Sequence, residues 1–142
     1  MSQQSNPPAF TTGLHHVAFR VQDFDRAVEY FVDGLGFSIQ MSWILDSGEK
    51  AVMLGCGQNN IVEIFSGGES ADNYDNLSVY HFALRTNDIH ADHQRALDAG
   101  GTERMAPKDI PLKTDQGDRT ITISFVKTPV DIIIEFFANG VL

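Results

Sequence analysis

Between residues 14 and 21 the chain alternates: Val17, Phe19 and Val21 are apolar, and His16, Ala18 and Arg20 between them are polar or small. In an extended strand successive side chains point to opposite faces, so this stretch predicts a strand with one greasy face and one face carrying histidine and arginine. Asp23 then offers a helix N-cap, and Phe24, Ala27, Val28, Phe31 and Leu35 follow at helical spacing. Gly34 and Gly36 end that helix, since glycine accepts the left-handed conformation common at helix C-termini. Residues 37–45 and 51–54 read as strands joined around Asp46-Ser47-Gly48, Asn59-Asn60 makes the next turn, and Ile61–Phe65 is a fourth strand. The order is β-α-β-β-β.

Residues 66–76, rich in Gly, Ser, Asp and Asn, read as a linker. A second strand-helix unit follows: a strand over residues 79–86, a cap at Asn87 or Asp88, and a helix to about residue 99 ended by Gly100-Gly101. That helix is less cleanly amphipathic, because His93 stands where Val28 stood. Residues 105–119 form a polar stretch holding Pro107 and Pro111 and read as loop; residues 120–127 alternate as a strand, Thr128-Pro129 turns, and residues 131–138 close the sheet. Residues 1–12, polar and proline-containing, read as a flexible N-terminal segment, leaving residues 13–142 as a single domain with module one at 13–68 and module two at 77–138.

The two units are copies. His16-Val17-Ala18-Phe19-Arg20 returns as His81-Phe82-Ala83-Leu84-Arg85, an offset of 65 that also pairs Asp23 with Asp88, Phe31 with Ala96 and Gly36 with Gly101. Val62-Glu63-Ile64-Phe65 returns as Ile134-Glu135-Phe136-Phe137 at an offset of 72, so the second copy has gained seven residues in between. Such self-similarity governs the fold reading. It predicts an α+β protein of two tandem βαβββ modules, with one His and one Glu at matching places in each.

Composition adds exclusions. A net charge of −9 argues against a nucleic-acid backbone or an anionic membrane surface as partner, and leaves small molecules open. No apolar run reaches the roughly 20 residues of a membrane-spanning helix, and no basic-then-apolar leader opens the chain. The single cysteine, Cys56, makes no internal disulfide, and a cytoplasmic location is the default expectation.

The chemistry gathers on His16, Glu63, His81 and Glu135. Each glutamate interrupts an apolar strand, where a carboxylate is costly to desolvate unless it is paired or bound to a metal. Two imidazoles and two carboxylates suit Zn, Ni, Co, Mn or Fe as a divalent ion, and the donor set does not choose among them. Blander readings stand beside this one. A lone histidine is usually structural, and His15, out of the repeat register and on the opposite strand face, is read so. His90 and His93 read as helix-surface or packing residues without a carboxylate partner in register. Cys56 reads as a small filler, and Lys108 and Lys113 as a solvated loop or an anion-gripping lid. For Arg20 and Arg85 two readings remain open: counter-charges to the glutamates, or a grip on substrate.

Residues 14–37 (LHHVAFRVQDFDRAVEYFVDGLGF), with IVEIF, YHFALRT and IIIEFF, resemble the vicinal-oxygen-chelate superfamily, which contains glyoxalase I, epimerases, extradiol dioxygenases and the fosfomycin and bleomycin resistance proteins. The resemblance spans roughly residues 13–138. It implies a curved mixed sheet around a metal-binding cleft, often completed by a homodimer, and one divalent transition metal ion per site. His16, Glu63, His81 and Glu135 fall on the four ligand positions of glyoxalase I, Glu135 on its proton-moving base with Glu63 as a second catalytic carboxylate, and Arg20 on a substrate contact. Thr128-Pro129-Val130-Asp131 departs from the usual Asp-Pro-Asp-Gly turn. The expected activity is that of a glyoxalase-type lyase or isomerase, which chelates vicinal oxygens of a small-molecule substrate and moves a proton next to a carbonyl. An epimerase of the same superfamily and a non-catalytic drug-binding protein are the alternatives.

Overall fold

The computed structural model describes residue 11, residues 13–69 and residues 81–141. The rest of the expected N-terminal segment, the larger part of the expected linker and the first residues of the expected 79–86 strand lie outside the described residues.

The first module runs β1 (His16–Arg20), α1 (Phe24–Val28), a π-helical turn (Glu29–Gly34), β2 (Ser38–Ile44), β3 (Lys50–Gly55) and β4 (Ile61–Phe65). The second runs β5 (Phe82–Thr86), α2 (Ile89–Asp98), β6 (Thr102–Thr114), β7 (Gly117–Lys127) and β8 (Ile133–Ala138). Each module forms a four-stranded mixed sheet, ordered β1-β4-β3-β2 and β5-β8-β7-β6. In each, the first strand lies parallel to the last, and the other pairings are antiparallel. The expected tandem βαβββ architecture is therefore present, as two sheets.

The repeat register carries into local chemistry. Asp23 caps α1 by accepting the Arg26 N–H at 3.1 Å, and its counterpart Asp88 caps α2 by accepting the Ala91 N–H at 3.1 Å. The first helix departs from expectation in its second half, where the Leu35 N–H reaches back to the Tyr30 carbonyl at 3.0 Å, a span of five residues. The wider turn places both Tyr30 and Phe31 in the core, so Tyr30, outside the 3.6-period stripe, is fully buried.

The modules share one hydrophobic core, in which Phe19 and Phe31 meet Phe82 across the join. Three hydrogen bonds tie the helices: Tyr30 hydroxyl to Ala96 carbonyl, Arg26 to Ala99 carbonyl, and Arg95 to Gly34 carbonyl, each 3.0 Å. Gly34 is required by closeness, since a Cβ there would stand 2.5 Å from that of Ala99.

The stretch read as a polar loop is instead a long hairpin of β6 and β7. Pro107 and Pro111 are tolerated because β6 is an edge strand and its register shifts between Met105 and Lys108, so a missing N–H breaks no essential ladder bond. Lys108 and Lys113 accordingly lie on a strand and are exposed.

Candidate functional site

Glu63 lies in a cross-strand row with Ala18 on one side and Met53 on the other, and Glu135 occupies the same place between Ala83 and Phe125. The neighbouring alanine leaves room above each carboxylate, and the histidine two residues before that alanine reaches into it. His16 Nε2 stands 3.5 Å from Glu63 Oε1, and His81 Nε2 stands 2.6 Å from Glu135 Oε2. The repeat thus produces the same constellation twice: a histidine entering the face, a small residue beside the acid, and a carboxylate in an apolar strand.

Both acids are buried, Glu63 to 6% exposure and Glu135 to 8%. Burial pushes the Glu135 carboxyl above its ordinary range, and the adjacent His81 pulls it part of the way back. A raised acid beside an imidazole holds its proton more firmly than a free carboxylate, and is a stronger base once ionised.

The donor set fits a divalent transition ion. Two donors each about 2.1 Å from a tetrahedral ion lie about 3.4 Å apart; the His16–Glu63 separation of 3.5 Å matches that spacing, whereas His81 and Glu135, at 2.6 Å, are in direct hydrogen-bond contact and would have to part to admit an ion. Each pair would supply two of the four donors such an ion takes. The structure brings His16 to Glu63 and His81 to Glu135, but does not bring the two pairs together: among the described residues, no three His, Cys, Asp or Glu side chains form a group able to hold an ion.

The remaining candidates fall out as follows. Arg20 shares the face of His16 but pairs with neither glutamate; its Nη1 donates to Glu49 Oε2 at 2.6 Å and to the Ser66 carbonyl at 3.0 Å. Arg85 lies in the equivalent row of the second sheet, beside Phe137. His15, expected on the opposite face, precedes β1 and turns its ring edge-on to His16, with the two Nδ1 atoms 2.9 Å apart. His90 is exposed. His93 is a packing residue against Phe136, as expected, but it does have a carboxylate partner, Glu103 of β6 at 2.8 Å. Cys56 is half-buried, its thiol pushed up by burial, which fits a filler better than a nucleophile.

A cavity of about 750 Å³ lies along the crevice between edge strands β1 and β5. It is lined by His16 and Arg85 but not by Glu63, His81 or Glu135. Much of its wall is core-face side chain, such as Val17, Val62, Leu84 and Phe136. It adjoins the His–Glu faces and takes in only His16 of the four residues.

Residues 13–136 match the family model described as Glyoxalase/Bleomycin resistance protein/Dioxygenase superfamily. A search of curated proteins finds no match. Among solved structures, a glyoxalase family protein from Enterococcus faecalis is 18% identical with a TM-score of 0.69, covering 91% of this chain and 99% of that one. The fosfomycin resistance protein FosX from Mesorhizobium loti is 17% identical with a TM-score of 0.67, covering 93% and 95%. Glyoxalase I from Zea mays is 20% identical with a TM-score of 0.63, and the match covers 87% of this chain and 43% of the maize chain. At these identities the likeness is one of fold. No helix among the described residues is long and apolar enough to cross a membrane.

Proposed function

Because the chain belongs to the glyoxalase/bleomycin resistance protein/dioxygenase superfamily, we propose that it is a metal-dependent lyase or isomerase of glyoxalase type. The reading rests on one observation, a buried glutamate met by a half-buried histidine at matching places in both modules. His16, Glu63, His81 and Glu135 would hold one divalent transition ion, drawn together by a second copy of the chain that sets the first-module pair of one subunit against the second-module pair of the other. When bound, the ion supplies Lewis-acid polarisation of a carbonyl whose neighbouring oxygen is also engaged.

The protein's own groups do the proton work. Glu135 takes the proton from the carbon next to the carbonyl and returns it to the neighbouring carbon. His81 Nε2 holds that carboxylate at 2.6 Å; with the ion bound, the same nitrogen would turn to the ion and free the carboxylate for proton transfer. Glu63, in the equivalent place, assists. Arg20 and Arg85 stand two residues along the same strand faces and contact the body of the substrate.

Solvent deuterium exchange across a panel of α-hydroxycarbonyl compounds and thiol hemiacetals, run with the metal-loaded protein, tests this reading. Exchange at the carbon next to the carbonyl, with transfer to the neighbouring carbon, supports a lyase or isomerase. Exchange with return to the same carbon identifies an epimerase instead. Tight binding of panel members without any exchange overturns catalysis in favour of a ligand-sequestering protein.

A further inference from the structure

With the His16–Glu63 face as the substrate side, as proposed above, the next row of that sheet bears on what the substrate is. Arg20, Phe65, Ala51 and Trp43 are consecutive partners across β1, β4, β3 and β2. They share a face with the row Ala18, Glu63, Met53 and Met41, one side-chain repeat or about 7 Å away. Ala51 is buried and small, so the rings of Phe65 and Trp43 meet edge-to-face above it with centroids 6.4 Å apart. The Arg20 guanidinium lies over the other side of Phe65, 5.4 Å from its centroid. The outcome is a wall of two aromatic rings and two methionines leading to the Glu63 carboxylate.

Arg20 is the cation on this wall, and it is already engaged. Glu49, at the end of the β2–β3 turn, takes its Nη1 at 2.6 Å. The backbone that carries that carboxylate is fixed on both sides. The Leu45 N–H donates to the Glu49 carbonyl at 2.8 Å, and the Lys50 N–H donates to Ser66 Oγ at 2.8 Å, pinning the turn to the end of β4. Beneath it Gly67 has a φ of +85°, and a Cβ there would stand 2.7 Å from Glu49 Oε1. An anionic group brought to Arg20 would meet Glu49 as well, so the attraction is largely offset.

We propose that Glu49 is a specificity-determining residue: by holding Arg20 it reserves the first-module wall for an uncharged aromatic or broad apolar body attached to the vicinal oxygens, and disfavours a carboxylate at that end. A substrate whose thiol carrier is an acidic peptide would be poorly matched there.

Trp43 is the one tryptophan of the chain, so its fluorescence reports on this wall directly. The probes are acetohydroxamic acid, benzohydroxamic acid and 4-carboxybenzohydroxamic acid, which share a vicinal-oxygen chelator and differ in ring and charge. With zinc-loaded protein, benzohydroxamic acid should quench Trp43 and bind about tenfold or more tightly than the methyl compound. The carboxylated probe should bind roughly two- to fivefold more weakly than its uncharged parent. Glu49→Gln and Glu49→Ala should abolish or reverse that charge penalty while keeping the ring preference. Equal binding of methyl and phenyl probes, or an unchanged charge penalty in both variants, would overturn the proposal. Zinc uptake, followed separately by calorimetry, tells the two readings apart. Absence of uptake sinks the metal site of the proposed function, whereas ring and charge preferences read by Trp43 quenching in the metal-free protein still decide the role of Glu49.

Discussion

Replacing Tyr30 by phenylalanine should lower stability slightly at neutral pH and remove part of its alkaline loss. Tyr30 is fully buried at the join between the modules, and its hydroxyl donates to the Ala96 carbonyl at 3.0 Å. That carbonyl also accepts the Gly101 N–H at 3.0 Å, so the variant leaves no orphaned acceptor and should cost only about 0.5–1.5 kcal/mol. Burial pushes the phenol up to about 12 from its ordinary value of 10.0, against the pull of Arg26. A folded-state value raised above the unfolded one contributes stability that is complete below pH 10 and lost as pH climbs through 12, because the unfolded chain releases the proton first. At 1.36 kcal/mol per pH unit the contribution lost is about 1.4 kcal/mol by pH 11 and approaches about 2.7 kcal/mol above pH 12. Urea denaturation of parent and variant at pH 7, 9, 10 and 11 measures it. The curves should start about 1 kcal/mol apart, and converge or cross by pH 11. Parallel decline of the two proteins would refute the burial argument, and with it the claim that this residue pins the modules together.

Further outcomes are expected. Glu135→Gln should retain most bound metal yet lose roughly 10²–10⁴-fold in solvent exchange at the substrate carbon, while Glu63→Gln loses less; the reverse order would assign the base to the first module. Gly34→Ala forces a methyl toward the Ala99 Cβ and should destabilise by about 1–3 kcal/mol, read as a lower urea midpoint at unchanged slope. Sedimentation at micromolar concentration should give a homodimer, and a monomer with full metal content would refute completion of the site by a second copy.

What is legible in the sequence is whatever the repeat enforces. The first-module strands, both aspartate caps and the matching places of the two glutamates follow from a register that backbone geometry must respect in both copies. The π-helical turn is not legible, because its extra residue keeps Phe31 on the core side while admitting Tyr30, and a 3.6-residue period has no place for that. The β6–β7 hairpin is masked by Pro107 and Pro111, which break central strands but not an edge strand with a shifted register. Glu103 and Glu49, the partners of His93 and Arg20, lie outside the repeat, so no internal comparison points to them. Alternation along β2 does offer Met41 and Trp43 as neighbours on one face, a signal that the residue pattern itself carries. The pairing of His15 with His16 is hidden when His15 is taken as part of the strand, where alternation would turn it away.

The central claim is that His16, Glu63, His81 and Glu135 together hold one divalent ion. Elemental analysis and zinc calorimetry on the metal-stripped protein, with His16→Ala and His81→Ala alongside, address it most directly. The expected result is about one ion per subunit in the parent and a marked loss of affinity in both variants, since each removes one of four donors from a shared shell. Parental affinity in both variants would contradict the assignment, and loss in one alone would mean that the two pairs do not form a common site.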